Sequence, residues 1–274
     1  VLTDGARWAV DHGYGTVEDM DHTEEGGALT GADPDKVSPR AMERGREQLG
    51  TLGSGNHFLE IEVVEEIFDP GAARAYGLEK GQIAVMLHSG SRGLGHQVCD
   101  DYLARMVKHL GELEVELPDR QLACAYLSTP RGQDYLAAMA CAANYAWANR
   151  QLLMHWVREA FEKTLSMSPK ALGMRLLYDI CHNIAKIETL PVDGKDRSLC
   201  VHRKGATRAL PAGHPLVPAA YRDIGQPVLI PGDMGSGSYV LTGTTKALEE
   251  TFGSSCHVAG RVMSRTQATK SSRG

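Results

Sequence analysis

The spacing of apolar residues in the first part of the chain predicts a helix and two short strands. Residues 36–49 are polar with a helical spacing, whereas residues 58–64 alternate between apolar and polar positions, as a half-buried strand does. An apolar run over residues 83–87 predicts a second strand that ends at His88. A glycine-rich loop and a further helix are expected after it.

The middle of the chain predicts two helices in succession. Residues 132–166 are rich in Ala, Leu and Met and predict a long helix that ends near Pro169. A second helix is expected over residues 171–189, because apolar residues recur there at helical spacing. These residues are Leu176, Leu177, Ile180, Ile184 and Ile187.

The last third of the chain alternates short strands with glycine turns, most clearly in PVLIPGDMGSGSYVL (227–241). Helices and strands are mixed along the whole sequence without the regular alternation of a doubly wound parallel sheet. The pattern therefore favours an α+β domain.

The composition is typical of a soluble globular protein, since 42% of the 274 residues are hydrophobic and 23% are charged. The opening segment lacks the basic start and apolar core of a signal peptide, and no apolar run reaches the roughly 18 residues of a membrane span. The cysteines are scattered without a C-x-x-C pair, so neither a disulfide framework nor a zinc finger is indicated. A reducing cytoplasm and no membrane contact are therefore expected.

The formal net charge of −5 argues against non-specific binding of nucleic acid. The charge is unevenly distributed, however, because every charged residue between Asp196 and Asp223 is basic. These residues are Arg197, Arg203, Lys204, Arg208 and Arg222. The segment fits either a local site for a phosphate-rich ligand or a solvated basic surface.

Four histidines occupy positions suited to ligand chemistry: His57, His88, His182 and His257. Three of them lie beside a glycine-rich turn or at the end of an apolar strand, where an imidazole can point into a cleft. His182 lies off the apolar stripe of its predicted helix, so it need not belong to the core. Neutral imidazole binds zinc, manganese and iron, although each histidine is also compatible with a hydrogen-bonded structural role.

Two glycine-rich loops and a basic turn indicate a site for phosphate. HSGSRGLGH (88–96) and PGDMGSGS (231–238) expose backbone N–H groups that a phosphate can approach, although tight turns also explain their glycines. Neither loop is a P-loop. HRKGATR (202–208) places three basic residues around one glycine, which suits either phosphate oxygens or the tip of a basic hairpin.

Six strings taken together resemble the motifs of the RtcB family of RNA ligases, in the order of that family. They are GTLGSGNHFLE, HSGSRGLGHQ, HNIAKIE, VHRKGATRA, PVLIPGDMGSGSYVL and CHVAGRVMSR. The similarity extends from about Gly13 to Arg265. It implies one catalytic domain over residues 1–274, with mixed sheets and flanking helices around a central metal and nucleotide cleft.

The resemblance also implies a reaction and its participants. RNA ends carrying a 2′,3′-cyclic phosphate or a 3′-phosphate are joined to 5′-hydroxyl ends, in tRNA splicing or RNA repair. GTP and two manganese ions are the implied cofactors, and tRNA halves or broken RNA ends, rather than DNA, are the implied partners. The sequence leaves open the physiological RNA, the oligomeric state and the need for an activating protein.

Residue roles follow from the same resemblance. His257 is implied as the nucleophile that attacks the α-phosphate of GTP and carries a histidine–GMP adduct, and His57, His88 and His182 are implied as manganese ligands. Positions implied near the nucleotide are Asn56, Phe58, Glu60, Asn183, Pro231, Gly232, Asp233, Met234, Ser238, Ala259 and Gly260. Positions implied to meet RNA or its phosphates are Arg44, Arg92, Lys204, Arg261 and Arg265.

The sequence departs from the family pattern at three places. A D-x-x-C metal motif upstream of GTLGSGNHF is missing, and so are a C-terminal lysine and an aromatic residue of the guanine pocket. Both ends are therefore expected to be truncated, which leaves the activity of this chain open. Val258 stands where the family has glycine after the nucleophilic histidine, and a β-branched residue restricts the backbone if positive φ is needed there.

Two other functions are compatible with the same residues. A histidine-rich metal phosphoesterase would hydrolyse its substrate and would carry no nucleotide label. A non-catalytic relative that binds RNA or a protein partner would bind metal without forming an adduct. Covalent labelling by GTP distinguishes the ligase from both.

Overall fold

The computed structural model of the protein describes residues 1–113, 116–119, 122–232 and 236–258. The helices are α1 (Gly5–Asp11), α2 (Val17–Asp21), α3 (Pro39–Arg46), α4 (Pro70–Tyr76), α5 (Arg92–Lys108), α6 (Pro130–Leu165) and α7 (Thr245–Thr251). The strands are β1 (Phe58–Val63), β2 (Ile83–His88), β3 (Asn183–Val192), β4 (Lys195–Lys204), β5 (Ala206–Arg208), β6 (Pro227–Ile230), β7 (Tyr239–Thr242) and β8 (Ser254–Cys256).

The strands form small antiparallel pairs: β1 with β2, β3 with β4, β5 with β8, and β6 with β7. The α+β class predicted from the sequence is confirmed. Parallel pairing, which a mixed sheet requires, is limited within the described ranges to an isolated bridge between Thr23 and Asp179.

The elements predicted around the first two histidines are confirmed. Strands β1 and β2 occupy the two alternating or apolar runs, and α5 follows the glycine loop after His88. The predicted helix over residues 36–49 is shorter, as α3. It begins after Ser38, whose hydroxyl accepts the N–H of Ala41, and Pro39 takes the first helical position.

Helix α6 confirms the long helix predicted over residues 132–166. Its 36 residues begin with Pro130, and the Thr129 hydroxyl accepts the N–H of Gly132 as an N-cap. The helix ends at Leu165, because Ser166 adopts a left-handed backbone conformation. Among the described helices, none combines the length and the apolar character that crossing a membrane would require.

Helix α6 also organises the core. One cluster joins it to α3 and α5 through Val37, Ala41, Leu94, Val98, Tyr102, Ala138, Cys141 and Tyr145. In another cluster, the fully buried Trp147 of α6 packs with Ala6, Cys181 and Ile184. Burying an aromatic side chain of this size contributes about 3 kcal/mol or more. This contact fixes the chain on both sides of His182 against the helix.

The helix predicted over residues 171–189 is wrong. Residues 171–182 contain turns and irregular backbone, and residues 183–192 form β3. Strand β3 pairs with β4 along its whole length, from Asn183 opposite Lys204 to Val192 opposite Lys195.

The error has a physical cause in the inward face of β3. Residues on this face alternate along the strand, and they are Ile184, Lys186, Glu188 and Leu190. Lys186 is only 4% exposed and Glu188 only 7% exposed, so two charged side chains occupy core positions. Because charged residues are almost never buried unless paired, the period-2 signal was hidden, and the apolar residues that remained imitated a helical spacing.

Candidate metal centre

Each of the four histidines singled out in the sequence lies at an end of a strand. His57 directly precedes β1 and His88 ends β2, in a pairing that places Phe58 opposite His88. His182 directly precedes β3 rather than lying on a helix, and His257 directly follows β8. Side chains at strand ends can face an adjoining cleft while the strand fixes their backbone.

A turn at Gly205 brings His182 next to His257. The His182 carbonyl accepts hydrogen bonds from the N–H groups of Gly205 at 2.8 Å and Ala206 at 3.4 Å. Ala206 begins β5, where it pairs with Cys256 of β8, the residue before His257. The hairpin and the small sheet therefore align the two histidines side by side.

The rings of His88, His182 and His257 form a compact group. Those of His182 and His257 are stacked, with centroids 3.8 Å apart and planes inclined by 13°. The His88 ring lies edge-on, 4.8 Å from the His182 centroid and 5.1 Å from the His257 centroid. One potential ligand atom from each ring lies within 4.8 Å of the others, so one metal ion could contact all three.

The surroundings keep these rings neutral. Burial, reinforced by the neighbouring His257 and by other positive groups, lowers the pKa of His88 to about 4. Burial together with His257 and His88 lowers the pKa of His182 to about 2. Burial and then the Lys204 ammonium lower the pKa of His257. Neutral imidazoles carry the lone pair that metal binding or nucleophilic attack requires.

His57 lies at the edge of this group, with its ring centroid 6.1 Å from that of His88. Its Nδ1 lies 3.0 Å from Nη1 of Arg92, and because a guanidinium can only donate, Nδ1 accepts. Burial and then Arg92 lower the pKa of His57. A neutral His57 then carries its proton on Nε2, so metal ligation by His57 requires Arg92 to release Nδ1.

One glycine of the GTLGSGNH loop is required by this contact. Gly53 has a φ of +103°, and a Cβ there would collide with the Arg92 guanidinium and the His57 ring. The backbone itself therefore forms the wall against which this pair packs.

Strand β1 presents Phe58, Glu60 and Glu62 on one face, because alternate residues of a strand point the same way. The Phe58 ring meets His88 edge to face, with centroids 5.2 Å apart. Burial and then the neighbouring Glu62 raise the pKa of Glu60. The acidic face of β1 therefore adjoins the histidine group.

Glu62 was not singled out in the sequence. It accepts a 2.6 Å hydrogen bond from the hydroxyl of Ser238, which itself accepts the N–H of Gly232 at 3.1 Å. The signal that could have found Glu62 was the alternation of FLEIEV, which places it two residues beyond Glu60 on the same face.

The structure describes only some of the other expected nucleotide positions. Asn56 is exposed in the loop before His57, and Pro231 is buried and lines a cavity with Ser238. The side-chain oxygen of Asn183 accepts the N–H of Gly205 at 3.1 Å. Outside the described residues lie Asp233, Met234, Ala259, Gly260, Arg261 and Arg265.

The expected phosphate-binding cations fall into different settings. Lys204 is exposed at the end of β4, opposite Asn183 and close enough to lower the pKa values of His182 and His257. Arg92 contacts His57, as described above. Arg44 lies on the exposed side of α3 and donates to Oε1 of Gln97 at 3.0 Å.

The phosphate interpretation of the basic turn is wrong for Arg203 and Arg208. Each is only 2% exposed. Both terminal nitrogens of Arg203 bind the Glu188 carboxylate at 2.8 Å, and Arg208 binds Glu25 at 2.7 Å. These arginines neutralise buried carboxylates, which leaves Lys204 as the cation of this turn that faces solvent.

A cavity of about 1310 Å³ adjoins the histidine group. Its walls include the rings of His88, His182 and His257, with Phe58 and Ser238 beside them. The volume exceeds the roughly 300–1,000 Å³ of common small-molecule pockets, so a nucleotide and part of a larger substrate could both be accommodated.

Comparison with known proteins identifies relatives over the whole chain. A family model described as "RtcB: tRNA-splicing ligase RtcB" matches residues 1–274. A tRNA-splicing ligase RtcB of Archaeoglobus fulgidus is 58% identical over 274 residues, which is 100% of this chain and 57% of that protein. Proteins of the same name from Thermococcus kodakarensis and Methanococcus maripaludis are 57% and 54% identical, over 100% and 98% of this chain and 57% and 56% of their own lengths. The chain thus spans a little over half the length of these relatives.

Proposed function

Because this chain belongs to the RtcB family, we propose that it carries the histidine centre of a GTP- and manganese-dependent RNA ligase. The observation that carries the proposal is the convergence of His88, His182 and His257 on one cavity wall. Three half-buried imidazoles, each with a lowered pKa, form a set of neutral nitrogen donors beside a cavity whose volume suits a nucleotide.

Imidazole nitrogens bind first-row divalent metals, so the chain can supply donors for a metal ion, and the choice of manganese rests on the family resemblance. We assign His57, His88 and His182 as the ligands of two ions, with His57 joining once Arg92 releases its Nδ1. When bound, the dications would neutralise charge on the triphosphate during phosphoryl transfer. Among the described residues, the ligands assigned here are all imidazoles. Further metal ligands from outside the described residues are compatible with this set.

His257 is the proposed nucleophile. A neutral ring nitrogen attacks the α-phosphorus of GTP; an N–P bond forms, the P–O bond to the leaving pyrophosphate breaks, and GMP stays on His257. Its lowered pKa keeps the ring unprotonated at neutral pH. Phe58, Glu60 and Ser238, together with the other nucleotide positions expected above, would surround the guanylate.

The guanylate then activates the RNA end. An oxygen of the RNA 3′-phosphate attacks the phosphorus of the adduct, the N–P bond breaks, and His257 is regenerated. The 5′-hydroxyl of the second RNA attacks the activated 3′-phosphate, loses its proton, and displaces GMP. A 2′,3′-cyclic phosphate must first take up one water to give the 3′-phosphate. Lys204, Arg92 and Arg44 are the described cations that would hold these phosphates.

The test is incubation of the chain with manganese and GTP labelled at the α-phosphate. We expect acid-labile label on the wild type, as a phosphorus–nitrogen bond requires, and none on His257→Ala. The matched control is His202→Ala, which removes an exposed histidine from β4 of the same hairpin and should label as the wild type does. Equal labelling of His257→Ala and wild type would show that another residue is the nucleophile.

The same experiment separates the alternatives. Release of phosphate from RNA ends without any label would favour a metal phosphoesterase. Metal binding without label or phosphate release would favour a non-catalytic binding protein. Either result would overturn the ligase proposal for this chain.

A further inference from the structure

Two adjacent polar residues in the middle of α6 connect the segments that carry His57, His88 and His182. Asn149 is 0% exposed, and the side chain of Arg150 is 11% exposed. Neither residue was singled out in the sequence, where both lie within a long helical pattern. Buried polar groups of this kind must be satisfied by hydrogen bonds, so their partners show what they hold.

Asn149 joins the loop before β1 to the loop after β2. Its side-chain oxygen accepts the N–H groups of Gly50 at 2.7 Å and Thr51 at 3.1 Å. Its amide nitrogen donates to the Thr51 carbonyl at 3.2 Å, and to the Ser89 hydroxyl and the Gly90 carbonyl at 3.1 Å each. The full donor and acceptor capacity of the amide is therefore used to fix the backbone that leads to His57 and the backbone that leaves His88.

Arg150 joins the loop after His88 to the segment before His182. Its Nη1 donates to the carbonyl of Ser89 at 3.2 Å, and its Nη2 approaches the thiol of Cys181 at 3.6 Å. Its Nε donates to the carboxylate of Asp179 at 2.7 Å. Burial alone would lower the pKa of the Arg150 guanidinium, but Asp179 raises it, so the group keeps its charge. Ser89 and Cys181 are the chain neighbours of His88 and His182.

We infer that Asn149 and Arg150 are positioning residues, which set the spacing of the histidine-bearing segments and so hold the centre ready for a divalent metal. This inference rests on the proposed function only in that the ligand is a divalent metal at His88 and His182. Among the described residues, the rings of His88, His182 and His257 have no hydrogen-bond partner that could fix them, whereas the His57 ring contacts Arg92 and the backbone of Leu52. Their geometry therefore depends on the backbone, and the backbone depends on α6.

A second buried arginine on the same helix provides a matched control. Arg158 lies two turns after Arg150 and binds the Asp19 carboxylate through both terminal nitrogens at 2.8 Å. The exposed fractions are comparable: 13% and 3% for Arg158 and Asp19, and 11% and 12% for Arg150 and Asp179. Arg158 has no hydrogen bond to a histidine-bearing segment among the described residues. A comparison of variants at the two arginines therefore separates an effect on the positions of the histidines from a general loss of stability.

The experiment compares manganese binding by the wild-type chain, Arg150→Lys, Asn149→Ser and Arg158→Lys. Free manganese is measured by its electron paramagnetic resonance signal at 25 °C, after circular dichroism has confirmed that each variant is folded. Changes to residues that support metal ligands typically cost about 10- to 100-fold in affinity. We expect a rise in Kd of that size for Arg150→Lys and Asn149→Ser, and a change of less than about twofold for Arg158→Lys. If Arg150→Lys does not fold, the Kd of Asn149→Ser for manganese alone tests the inference.

A spectroscopic measurement adds a readout that a loss of stability would not change. Cobalt(II) bound to the wild type gives visible bands that report ligand geometry, and we expect these bands to shift in Arg150→Lys at saturating metal but not in Arg158→Lys. Wild-type affinity and spectrum in both positioning variants would overturn the inference. Equal weakening by Arg158→Lys, or no metal binding by the wild type, would overturn it too. Metal binding with this pattern but without GTP labelling would refute only the ligase proposal.

Discussion

Two groups of buried or half-buried polar side chains adjoin the β3–β4 hairpin, and they differ in where their partners are. Beneath the hairpin, acids and bases in equal number bind one another: Glu24, Glu25, Glu188, Lys186, Arg203 and Arg208. At its base, His88, His182 and His257 contact one another, although three imidazoles offer no opposite charge.

This difference distinguishes side chains that stabilise the fold from side chains that are available to bind a ligand. In the charge cluster, Lys186 lies 2.9 Å from Glu24 and 2.8 Å from Glu25, so its charge is satisfied internally. A buried charge with such partners can be retained without any ligand. The histidines instead line a cavity with neutral nitrogens, which could hold a metal ion. Where the partners of a buried polar group lie is therefore a better guide to function than its burial.

The largest effect should follow from breaking the charge cluster at Glu24. In Glu24→Gln, Lys186 and Arg208 lose their fully buried carboxylate and must share Glu25, so one positive charge of the cluster is left uncompensated at a cost of about 3–5 kcal/mol. Urea unfolding should show this loss in the free energy of unfolding. Glu249→Gln, on the exposed side of α7, should stay within about 0.5 kcal/mol of the wild type. A Glu24→Gln variant as stable as that control would show that the cluster does not stabilise the fold.

Lowering the pH should remove most of the stability that the ionised Glu24 contributes. Burial opposes ionisation of Glu24, but Lys186 and Arg208 outweigh it and lower its pKa from 4.5 to about 2. A lowered pKa gives stability that is fully present above about pH 4.5 and is lost as pH falls toward 2, in total on the order of 3 kcal/mol. Between pH 6 and pH 2.5, the free energy of unfolding should decline less steeply with falling pH for Glu24→Gln than for the wild type. Parallel curves for the two proteins would show that Glu24 is not the group responsible.

The histidine group should respond in the opposite way. His182→Ala should weaken manganese binding by at least roughly 100-fold, since it removes a proposed direct ligand rather than a supporting residue. In metal-free buffer its free energy of unfolding should stay within about 1 kcal/mol of the wild type, because no described residue depends on that ring for charge balance. His155→Ala, a change of a half-buried histidine on α6, is the control. Unchanged metal affinity in His182→Ala would remove this residue from the centre.

The smallest effect is expected at Lys204, the exposed lysine at the end of β4. Lys204→Ala should weaken binding of an RNA with a 3′-phosphate by roughly 3- to 10-fold and reduce the salt dependence by about one charge, while GTP labelling changes less. Lys195→Ala, at the far end of β4, should leave both unchanged. Equal loss of RNA binding and labelling would place Lys204 at the nucleotide instead of the RNA.

Much of this contrast could be read from the sequence, but not all of it. The alternating run after His57 and the apolar run before His88 predicted β1 and β2, and the glycine turn between β6 and β7 was also predicted. All four histidines lie in a connected series of ring contacts, as a shared cleft requires, although the role of each stays a prediction. The pattern of neighbouring residues was sufficient to predict an element where only apolar residues occupied its buried positions.

The sequence failed where distant charges decide which side of an element is buried. Nothing near Lys186 in the chain shows that Glu24 and Glu25 neutralise it, since these residues are about 160 positions away. Pairing with Glu188 of the neighbouring strand removed Arg203 from the predicted phosphate site, and long-range pairing with Glu25 removed Arg208. Asn149 and Arg150 were missed for a related reason, because their partners belong to loops that only the fold brings together.

The alternation along β3 and β4 has one more consequence. If the two strands slipped past each other by a single position, Lys186, Glu188 and Arg203 would no longer face their counter-charges, and Ile187 would turn toward the interior in their place. A misaligned hairpin would leave the buried Glu24 without Lys186 and the buried Arg203 without Glu188, which makes the native alignment the one that a folding chain can retain. The same charges that hold the fold together thereby keep the exposed Lys204 opposite Asn183, next to His182.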